Sequence, residues 1–324
     1  MENNLYDKKI GIAWWNTALS PSAAPDRSDE ASMQNAALTI EQLLTSNNTG
    51  ILGLCEISDS DINKLETIFS QKKELSPYKI IRATKHNTHN FNLCICYNED
   101  HFLPYKEEGK YTQFISSMVL SSNVKIGVVV KFMEKLTSHI FSVIVSHWPS
   151  RITNGEMHPT REKYGGALLS VVDAMREKNK NENIILMGDY NDDPFASSIF
   201  HSLQATSDID LAKLRPLTYL YNPFWSKLGE YTTHPMKGGK HYSASGSYFY
   251  RGGQYTNWHV FDQIMISGSI FHATTISYVE NSAEILKPHT LTSKIKSTKE
   301  IFDHFPVKID LLFRKIKYEQ QITL

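Results

Sequence analysis

Residues 187–194 read MGDYNDDP, which closes an apolar, strand-like run with an acid, an amide and two further acids. Residues 302–307 read FDHFPV, which places a carboxylate beside an imidazole just before another apolar run. Two such clusters at strand ends predict one polar site that is assembled from distant parts of the chain. Hard oxygen ligands grouped with a histidine favour a magnesium-assisted hydrolase.

Composition and charge narrow the class of protein. The chain has 324 residues, of which 41% are hydrophobic, and this is enough for a sizeable core. It carries 34 basic and 34 acidic residues, so any binding of an anionic polymer must depend on a local group of basic residues. Balanced charge also disfavours a tight non-specific polymer binder, because phosphate contacts dominate such affinity.

Cysteine usage and hydropathy predict the cellular context. Cys55, Cys94 and Cys96 lie in strand-like apolar runs, and this odd number predicts reduced core thiols rather than disulfides. The N-terminal residues MENN lack the basic start and the long apolar region of a signal peptide. No run approaches the roughly 20 apolar residues of a membrane span. We therefore expect a cytoplasmic protein without a membrane partner.

Apolar periodicity predicts strands that alternate with helices. Because some strands are joined by short connections, the pattern favours a layered α/β protein with mixed sheets. We find no linker and no short repeat, so we expect residues 1–324 to form a single domain. The predicted strands are 9–15, 50–57, 78–83, 92–97, 126–132, 139–147, 183–189, 260–267, 274–279 and 305–313. The predicted helices are 29–45, 59–71, 160–177 and 194–203.

Polar side chains follow five of the predicted strands, at the edge where layered α/β folds place ligand sites. Taken singly, each has an ordinary explanation as a turn residue, a solvated acid or a structural histidine. Five such coincidences together favour a shared site. The residues are Asn16, Glu56, His147, Asp189 with Asn191, and Asp262.

Six short segments carry these residues: WN at 15–16, LCE at 54–56, SHWPSR at 146–151, GDYND at 188–192, FDQI at 261–264 and DHFPV at 303–307. In kind and in order they resemble the endonuclease/exonuclease/phosphatase superfamily, and its deoxyribonuclease I-like members in particular. The resemblance spans nearly the whole chain. It implies a four-layer α/β/β/α sandwich of two packed mixed sheets with helices outside and an active site at one edge.

The resemblance also implies a Mg²⁺-dependent phosphodiester hydrolase. Glu56 would be the principal Mg²⁺ ligand, supported by Asn16 and Asp303, and Mn²⁺ would be a substitute. Whether one metal or two take part stays open at this point. By the resemblance, Asp189 would either act on the attacking water or help hold a second ion, and members of the family are argued both ways.

Five residues would carry the catalytic roles. By the resemblance, Asp189 would orient and deprotonate the attacking water, and Asn191 would hydrogen-bond the phosphate or the nucleophile. His304, oriented by Asp262, would donate to a nonbridging phosphate oxygen, and His147 would do likewise or protonate the leaving oxygen. Such groups suit the reaction, because a phosphodiester repels hydroxide until cations neutralise its charge.

The chain departs from the family in one respect that bears on mechanism. Deoxyribonuclease I-like members pair the first catalytic histidine with a carboxylate before the strand at 92–97, where this chain reads HNTHN at 86–90. The carboxylate partner of His147 is therefore not identified. Exonuclease III-like members use a central tyrosine and usually lack the equivalent of His147, and inositol-phosphatase relatives carry Cys-Asp-Arg where this chain has FDQ at 261–263. Both branches match less well.

Substrate contacts are expected from two groups of residues. Arg151 and Arg161 would grip phosphates with their guanidinium forks, although each is equally explained as a surface arginine. The irregular segment 218–259 is expected to be an ordered surface loop. Its side chains would stack bases and contact the backbone, or would pack the loop onto the sandwich. These side chains are Tyr248, Tyr250, Arg251, Tyr255 and Trp258.

Three functions follow from these observations. The first is a nuclease that hydrolyses DNA, in preference to RNA, by in-line attack of a metal-positioned water. The second is a phosphatase or phosphodiesterase of a small-molecule or lipid phosphoester, which would be indifferent to polymer length. The third is a binding or regulatory module that keeps the fold without turnover, and the complete set of acid, amide and imidazole groups argues against it. A protein partner or inhibitor is not predicted from the sequence.

Overall fold

Two β-sheets packed face to face form the centre of the molecule, with helices against their outer faces. The structure is a computed structural model that describes residues 7–25, 27–87, 89–119, 122–151, 159–228, 246–253 and 256–315. The predicted α/β fold with two packed mixed sheets is confirmed.

The strands are β1 Asp7–Asn16, β2 Thr49–Cys55, β3 Tyr78–His86, β4 His89–Asn98, β5 Phe102–Tyr105, β6 Thr112–Val119, β7 Ser122–Glu134, β8 Ile140–His147, β9 Ile184–Asp189, β10 Ala205–Thr206, β11 Leu220–Tyr221, β12 Tyr248–Phe249, β13 Trp258–His259, β14 Asp262–Ser267, β15 Ile276–Tyr278, β16 Glu284–Ile285 and β17 Val307–Arg314. The α-helices are α1 Glu30–Thr45, α2 Asp59–Gln71, α3 Pro159–Lys178, α4 Ile209–Leu214 and α5 His289–Thr292. Short 3₁₀ segments lie at Lys73–Leu75, Pro223–Lys227 and Gly268–His272, and one π-helical turn lies at Ser198–Ser202.

Both large sheets contain parallel and antiparallel pairs. The first has the strand order β15-β17-β1-β2-β4-β3, with β16 added beside β17, and β1 runs parallel to β2 but antiparallel to β17. The second has the order β10-β11-β14-β9-β8-β7-β5, with β6 beside β7, and β8 runs parallel to β9 while β14 is antiparallel to it. Strands β12 and β13 form a separate hairpin.

The two faces of the second sheet are covered by different layers, and the alternation of side chains along β8 shows how. Val143 and Val145 point into the core between the sheets, whereas Ile144 packs with Leu168 and Val172 of α3. Successive residues of a strand point to opposite faces, so a strand that is apolar at every position is buried on both sides. Burial of each such side chain contributes roughly 1.5–3 kcal/mol, which fixes the register of the strands that carry the polar edge.

Local capping explains where the first two helices begin. The side chain of Asp29 accepts a hydrogen bond from the backbone of Ser32 at the start of α1. Ser58 and Asp61 form a reciprocal capping box at the start of α2. Asp61 also accepts from the hydroxyls of Ser20 and Ser28, at 2.6 and 2.8 Å. These bonds tie the connection between β1 and α1 to the second helix.

Seven strands of the described part of the chain were not predicted from the sequence: five two-residue strands (β10, β11, β12, β13 and β16) and the longer strands β5 and β6. Strand β5 contains Pro104 and lies at the edge of the second sheet, where proline is tolerated because one side of the strand needs no ladder partner. Strand β6 follows the charged residues 106–110 and pairs with β7 over its whole length. Apolar periodicity is weak in both segments, and pairing with β7 is what forms them.

The predicted helix at 194–203 is confirmed only in part. The structure has a turn and a bend at 194–196 and helical residues at 197–202, of which Ser198–Ser202 form a π-helical turn. The hydroxyl of Ser198 donates to Asp192, and α3 packs closely at Gly165, where a Cβ atom would lie 2.0 Å from the carbonyl oxygen of Ser198. These contacts hold the segment in a compact turn rather than a regular helix.

The segment 218–259 is largely irregular where the structure describes it, with β11, the 3₁₀ segment Pro223–Lys227, β12 and β13 as its ordered elements. Residues 229–245, 254 and 255 lie outside the described residues, so the expected role of Tyr255 is not addressed. Within the described part of the chain, no helix combines the length and the apolar character needed to cross a membrane. All three cysteines are buried and unpaired.

Candidate active site

Strand polarity brings the predicted polar residues to one edge of the sandwich. Strands β1, β2, β8 and β9 end at this edge, and the antiparallel strands β14 and β17 begin there. The register places His147 opposite Asp189, and Asp189 opposite Asp262. The distant sequence segments therefore meet, as the sequence predicts.

Asn16 connects the acids of the two sheets. Its Nδ2 donates to Oε1 of Glu56 at 3.3 Å and to Oδ2 of Asp189 at 3.0 Å, and its Oδ1 accepts from the backbone N–H of Ala18 at 3.0 Å. Asn16 is 2% exposed. A buried amide that donates to two carboxylates fixes their positions, because each lost bond would leave a polar group unsatisfied.

Two site residues adopt the left-handed backbone region that favours glycine. Glu56 has φ 52° and Asn191 has φ 50°. Such conformations cost of order 1 kcal/mol or more for a glutamate and persist only where the surroundings enforce them. The carbonyl of Glu56 accepts from the backbone of Ser20 at 2.6 Å, and Asn191 binds Asp189 Oδ1 through its backbone N–H and the carbonyl of Trp148 through Nδ2, both at 2.9 Å. These bonds aim both side chains at the edge.

His304 is held by a buried carboxylate. Its Nδ1 lies 2.7 Å from Oδ2 of Asp262, whose Oδ1 accepts from Nε1 of Trp14 at 3.0 Å. Nε2 of His304 lies 3.7 Å from Oδ2 of Asp189. Burial opposes the positive charge, but the carboxylates of Asp262 and Asp189 outweigh it and raise the pKa of His304 to about 10. These carboxylates therefore favour the protonated form of the imidazole at neutral pH.

His147 is held differently. Its side chain is 21% exposed, and its Nε2 lies 3.7 Å from Oε1 of Glu56 and 3.9 Å from Oδ2 of Asp189. Among the described residues, no carboxylate oxygen comes within 4.0 Å of its Nδ1. The carboxylate partner that deoxyribonuclease I-like members provide is thus not found for this histidine in the described part of the chain.

The donor set fits a hard divalent cation. Glu56 and Asp303 offer carboxylate oxygens, which are the ligands that Mg²⁺ and Mn²⁺ prefer, whereas Asn16 faces the acids through Nδ2 and would ligate only through Oδ1, which here accepts from Ala18. Burial, together with the negative charges of Glu56 and Asp189 and despite the neighbouring His304, raises the pKa of Asp303 to about 6. Acids crowded in this way repel one another, and a bound cation would relieve the repulsion.

A second cluster at this edge has the composition of a metal site. Asp189, Asp262 and His304 are buried, and each brings one potential ligand atom within 4.8 Å of the others. Both oxygens of Asp262 already accept hydrogen bonds, from His304 and from Trp14. Asp262 therefore holds the imidazole of His304, and Asp189 lies between this imidazole and Asn16.

Arg27 is a site residue that sequence reasoning missed. Its Nη2 lies 3.5 Å from Oε2 of Glu56, and its Nε donates to the carbonyl of Ala18 at 2.9 Å. The arginine comes from the connection between β1 and α1, and Asp61 anchors that connection through Ser20 and Ser28. A lone arginine in a connection gives no sequence signal, because only the folded path of the loop brings it to Glu56.

Arg161 does not occupy the place expected of a phosphate contact. It is 2% exposed, its Nε binds Oδ2 of Asp192 at 2.7 Å, and its Nη groups donate to the carbonyls of Pro149, Tyr190 and Asn191. This guanidinium holds the loop that carries Asn191. A buried pair of this kind is a structural element, since removing one partner would strand a buried charge.

Arg151 lies nearer the surface and also braces the same loop. Its Nε donates to the carbonyl of Asn191 at 2.9 Å and lies 3.2 Å from Oδ1 of Asp192, and its Nη2 lies 3.2 Å from Oδ2 of Asp193. Its guanidinium packs over the ring of Phe261 at 4.5 Å. Arg151 therefore contacts the loop that carries Asn191 directly, and its side chain remains 14% exposed.

The loop aromatics divide into inward and outward groups. Trp258 is 9% exposed and stacks on Phe305, so it packs the loop onto the sandwich and is not placed to stack on a base. Arg251 donates to the carbonyls of Ile295 and Ser297, whereas Tyr250 is 40% exposed. The ring of Tyr248 lies 4.5 Å from that of His304, which the sequence did not indicate.

Comparisons with known proteins agree with this geometry. A sequence model described as "Endonuclease/Exonuclease/phosphatase family" matches residues 25–311. No curated protein matches the chain. The fold is similar to that of the human Nocturnin catalytic domain with bound sulfate anion, at 16% identity and TM-score 0.59, over 94% of each chain.

Two further solved structures share the fold. The mannosyl-6-phosphatase Bt3783 of Bacteroides thetaiotaomicron is 16% identical with TM-score 0.58, over 94% of this chain and 100% of that one. TDP2 of D. rerio, complexed with single strand DNA product, is 13% identical with TM-score 0.55, over 94% of this chain and 99% of that one. One of these neighbours is named as a mannosyl-6-phosphatase and another is complexed with a single strand DNA product, so the likeness identifies the fold and not the substrate.

Proposed function

We propose, from the premise that the chain belongs to the endonuclease/exonuclease/phosphatase family, that it is a Mg²⁺-dependent phosphodiesterase whose substrate is DNA. Enzymes of this family hydrolyse phosphoester bonds and typically depend on a divalent metal. One observation carries the proposal: a buried Asp262–His304 pair stands 3.7 Å from Asp189, beside Glu56 and Asn16, at a single edge.

The reaction assigns one task to each group. Asp189 accepts a proton from the attacking water, whose oxygen forms the new bond to phosphorus. Asn191 and the protonated His304 donate hydrogen bonds to the nonbridging oxygens as negative charge builds on them. The bond from phosphorus to the leaving oxygen then breaks, and His147 supplies a proton to that oxygen. Glu56, Asn16 and Asp303 would hold Mg²⁺, which supplies charge neutralisation at the phosphate.

DNA is proposed as the substrate because the edge presents phosphate-directed groups and because TDP2, which shares the fold, has been captured with a single strand DNA product. A specific observation favours a second candidate. Arg161 and Trp258, for which contact with a polymer was one of two expectations, are buried and bind or pack within the protein, and Arg251 donates to two backbone carbonyls. A small phosphoester would need fewer contacts along a strand, so hydrolysis of a small-molecule phosphoester is the alternative function.

Nicking of a supercoiled plasmid tests the proposal. The purified protein is incubated with Mg²⁺, Mn²⁺ or EDTA, alongside Asp189→Asn, which keeps the size of the side chain but cannot accept the proton. Asp210→Asn, at an exposed position of α4, is the matched control. We expect metal-dependent nicking that survives in the control and is lost in the Asp189 variant.

The other outcomes separate the remaining candidates. Phosphate release from small phosphoesters without any nicking would replace DNA by the second candidate. Mg²⁺ binding without hydrolysis of plasmid, RNA or small phosphoesters would indicate a non-catalytic binding module and would overturn the enzymatic proposal. Full activity in Asp189→Asn would overturn the assigned mechanism.

A further inference from the structure

A second aspartate–histidine pair lies beside the proposed centre. Nδ1 of His259 lies 2.9 Å from Oδ2 of Asp193, and the side chains are 14% and 4% exposed. Asp193 is fully engaged, because Oδ2 also meets Nη2 of Arg151 at 3.2 Å and Oδ1 accepts from the backbone N–H of Val260 at 2.8 Å. The carboxylate therefore holds both His259 and Arg151, and the reaction proposed above uses neither side chain.

A continuous row of rings joins this pair to the proposed catalytic imidazole. The ring centroids lie 4.5 Å apart from His304 to Tyr248, 5.0 Å from Tyr248 to Phe261 and 4.7 Å from Phe261 to His259. The guanidinium of Arg151 packs on the same Phe261 ring, at 4.5 Å. Each end of the row is an imidazole whose Nδ1 is bound to a buried aspartate. The row therefore fixes the distance between two aspartate–histidine pairs that have the same arrangement.

The ring nitrogen of His259 that is not bound to Asp193 is suited to bind a ligand. With Nδ1 bound to Asp193, the remaining nitrogen is Nε2, which makes no hydrogen bond to any residue that the structure describes, while the side chain stays partly exposed. When the imidazole is protonated, Nε2 is a charged donor. A structural histidine on a surface loop needs no buried acid to orient it in this way.

The charges of the cluster favour an anion. Asp192 is paired with Arg161, and Asp193 with Arg151 and His259, so each carboxylate of this cluster is compensated by a basic side chain. Charge-assisted bonds from imidazolium and guanidinium are the usual way in which proteins bind phosphate. The location next to Asn191, whose carbonyl accepts from Arg151, makes the cluster continuous with the reacting centre.

We propose that His259 and Arg151 form a subsite for a second phosphate group of the substrate, adjacent to the phosphate that is hydrolysed. The inference rests on the proposed function, because it takes His304 to mark the reacting phosphate. The second phosphate has two sources: the next diester of a polynucleotide, or a terminal phosphomonoester on a short substrate. Both present the same oxygens to the subsite.

The test compares short substrates that differ only in the second phosphate. These are TpT, with one phosphate; pTpT and TpTp, with an added terminal monoester; and TpTpT, with an added diester. We expect kcat/KM to be about tenfold or more higher with the second phosphate, as for one or two charge-assisted hydrogen bonds. Preference for TpTpT alone identifies the polynucleotide source, and preference for pTpT or TpTp identifies the monoester source.

The decisive variant is His259→Asn. Asparagine Nδ2 stands where Nδ1 of the histidine stood, so the bond to Asp193 is kept while the outward nitrogen is lost. We expect the ratio of kcat/KM with and without the second phosphate to fall to near one. His201→Asn, at an exposed histidine in the π-helical turn, should leave the ratio unchanged. An unaltered ratio in folded His259→Asn would overturn the subsite while leaving hydrolysis, and thus the proposed function, intact.

A binding measurement keeps the inference testable if the protein hydrolyses none of these substrates. Histidine side-chain NMR in the presence of inorganic pyrophosphate follows the resonances of His259, which are assigned by their loss in His259→Asn. Movement of these resonances at submillimolar pyrophosphate would support the subsite. Resonances that stay in place throughout the titration would overturn it, whatever the fate of the proposed hydrolysis.

Discussion

The active edge holds its two proposed catalytic histidines in opposite ways. His304 is bound through Nδ1 to Asp262, which Trp14 holds in turn, and Tyr248 lies against its ring. Among the residues that the structure describes, the carboxylates near His147 are those of Glu56 and Asp189, which lie 3.7 and 3.9 Å from its Nε2. The fold thus fixes a charge at His304, as preorganised electrostatic stabilisation requires. The surroundings of His147 consist of the same acids that are proposed to act on metal and water, so its contacts depend on what binds there.

The largest effect is expected at the fixed histidine. His304→Ala should lower kcat by a factor of about 10²–10³, the loss found when a donor to a developing oxyanion is removed. Steady-state rates on the preferred phosphodiester measure it, with His201→Ala as an exposed control. A loss smaller than that of the corresponding His147 variant would reverse the contrast between the two histidines.

His147→Ala should have the next largest effect, about a hundredfold on a substrate with a poor leaving group. If His147 supplies the leaving-group proton, the loss should nearly vanish for bis(p-nitrophenyl) phosphate, because p-nitrophenolate leaves without a proton. His304→Ala should be defective on both substrates. Equal losses on the two substrates in His147→Ala would show that both histidines do the same work.

Asp262→Asn separates charge from position at His304. The variant should lose about tenfold at neutral pH, as for one charge-assisted bond, and its activity should decline further as pH rises. In the wild type, the pKa of His304 is raised from 6.5 to about 10. The stabilising interaction is therefore complete below about pH 6.5 and is lost as pH rises through about 10. The variant should lack this alkaline loss of stability, and pH–rate profiles with urea unfolding at several pH values check both parts.

The smallest effect is expected at Tyr248. Its backbone forms an isolated β-bridge with His304, so Tyr248→Leu keeps the chain path and removes only the ring contact. We expect a threefold to tenfold loss of kcat, since a ring contact contributes about 0.5–1.5 kcal/mol. Tyr105→Leu, at an exposed position of β5, is the control. An inert Tyr248→Leu would mean that Asp262 alone orients the imidazole.

The sequence predicted the parts of the site that follow from the burial pattern of strands. It missed the parts that depend on contacts between distant segments. Apolar runs marked the strands that end at Asn16, Cys55, His147 and Asp189, because strand burial leaves a visible pattern. Strand β5 was not predicted, because Pro104 and the charges nearby remove the apolar pattern. This edge strand is formed by its pairing with β7.

Side-chain direction was the harder part. Arg161 appeared to be free to bind phosphate, yet it turns inward to Asp192, a partner that no local pattern identifies. Arg27 and His259 owe their places to the paths of loops, and the contact of Tyr248 with His304 arises from a bridge between segments far apart in the chain. Such placements depend on tertiary packing and leave no periodic signal.

The three buried thiols make local opening of the molecule chemically measurable. Cys55 directly precedes Glu56, and burial raises the pKa of its thiol, so that it stays protonated and protected from alkylation in the folded state. Cys94 and Cys96 lie on the neighbouring strand β4, fully enclosed. An alkylating reagent should therefore label the chain only as fast as the first sheet opens. Mass increments after a timed pulse would distinguish a variant that has lost a catalytic group from one whose active edge no longer stays closed.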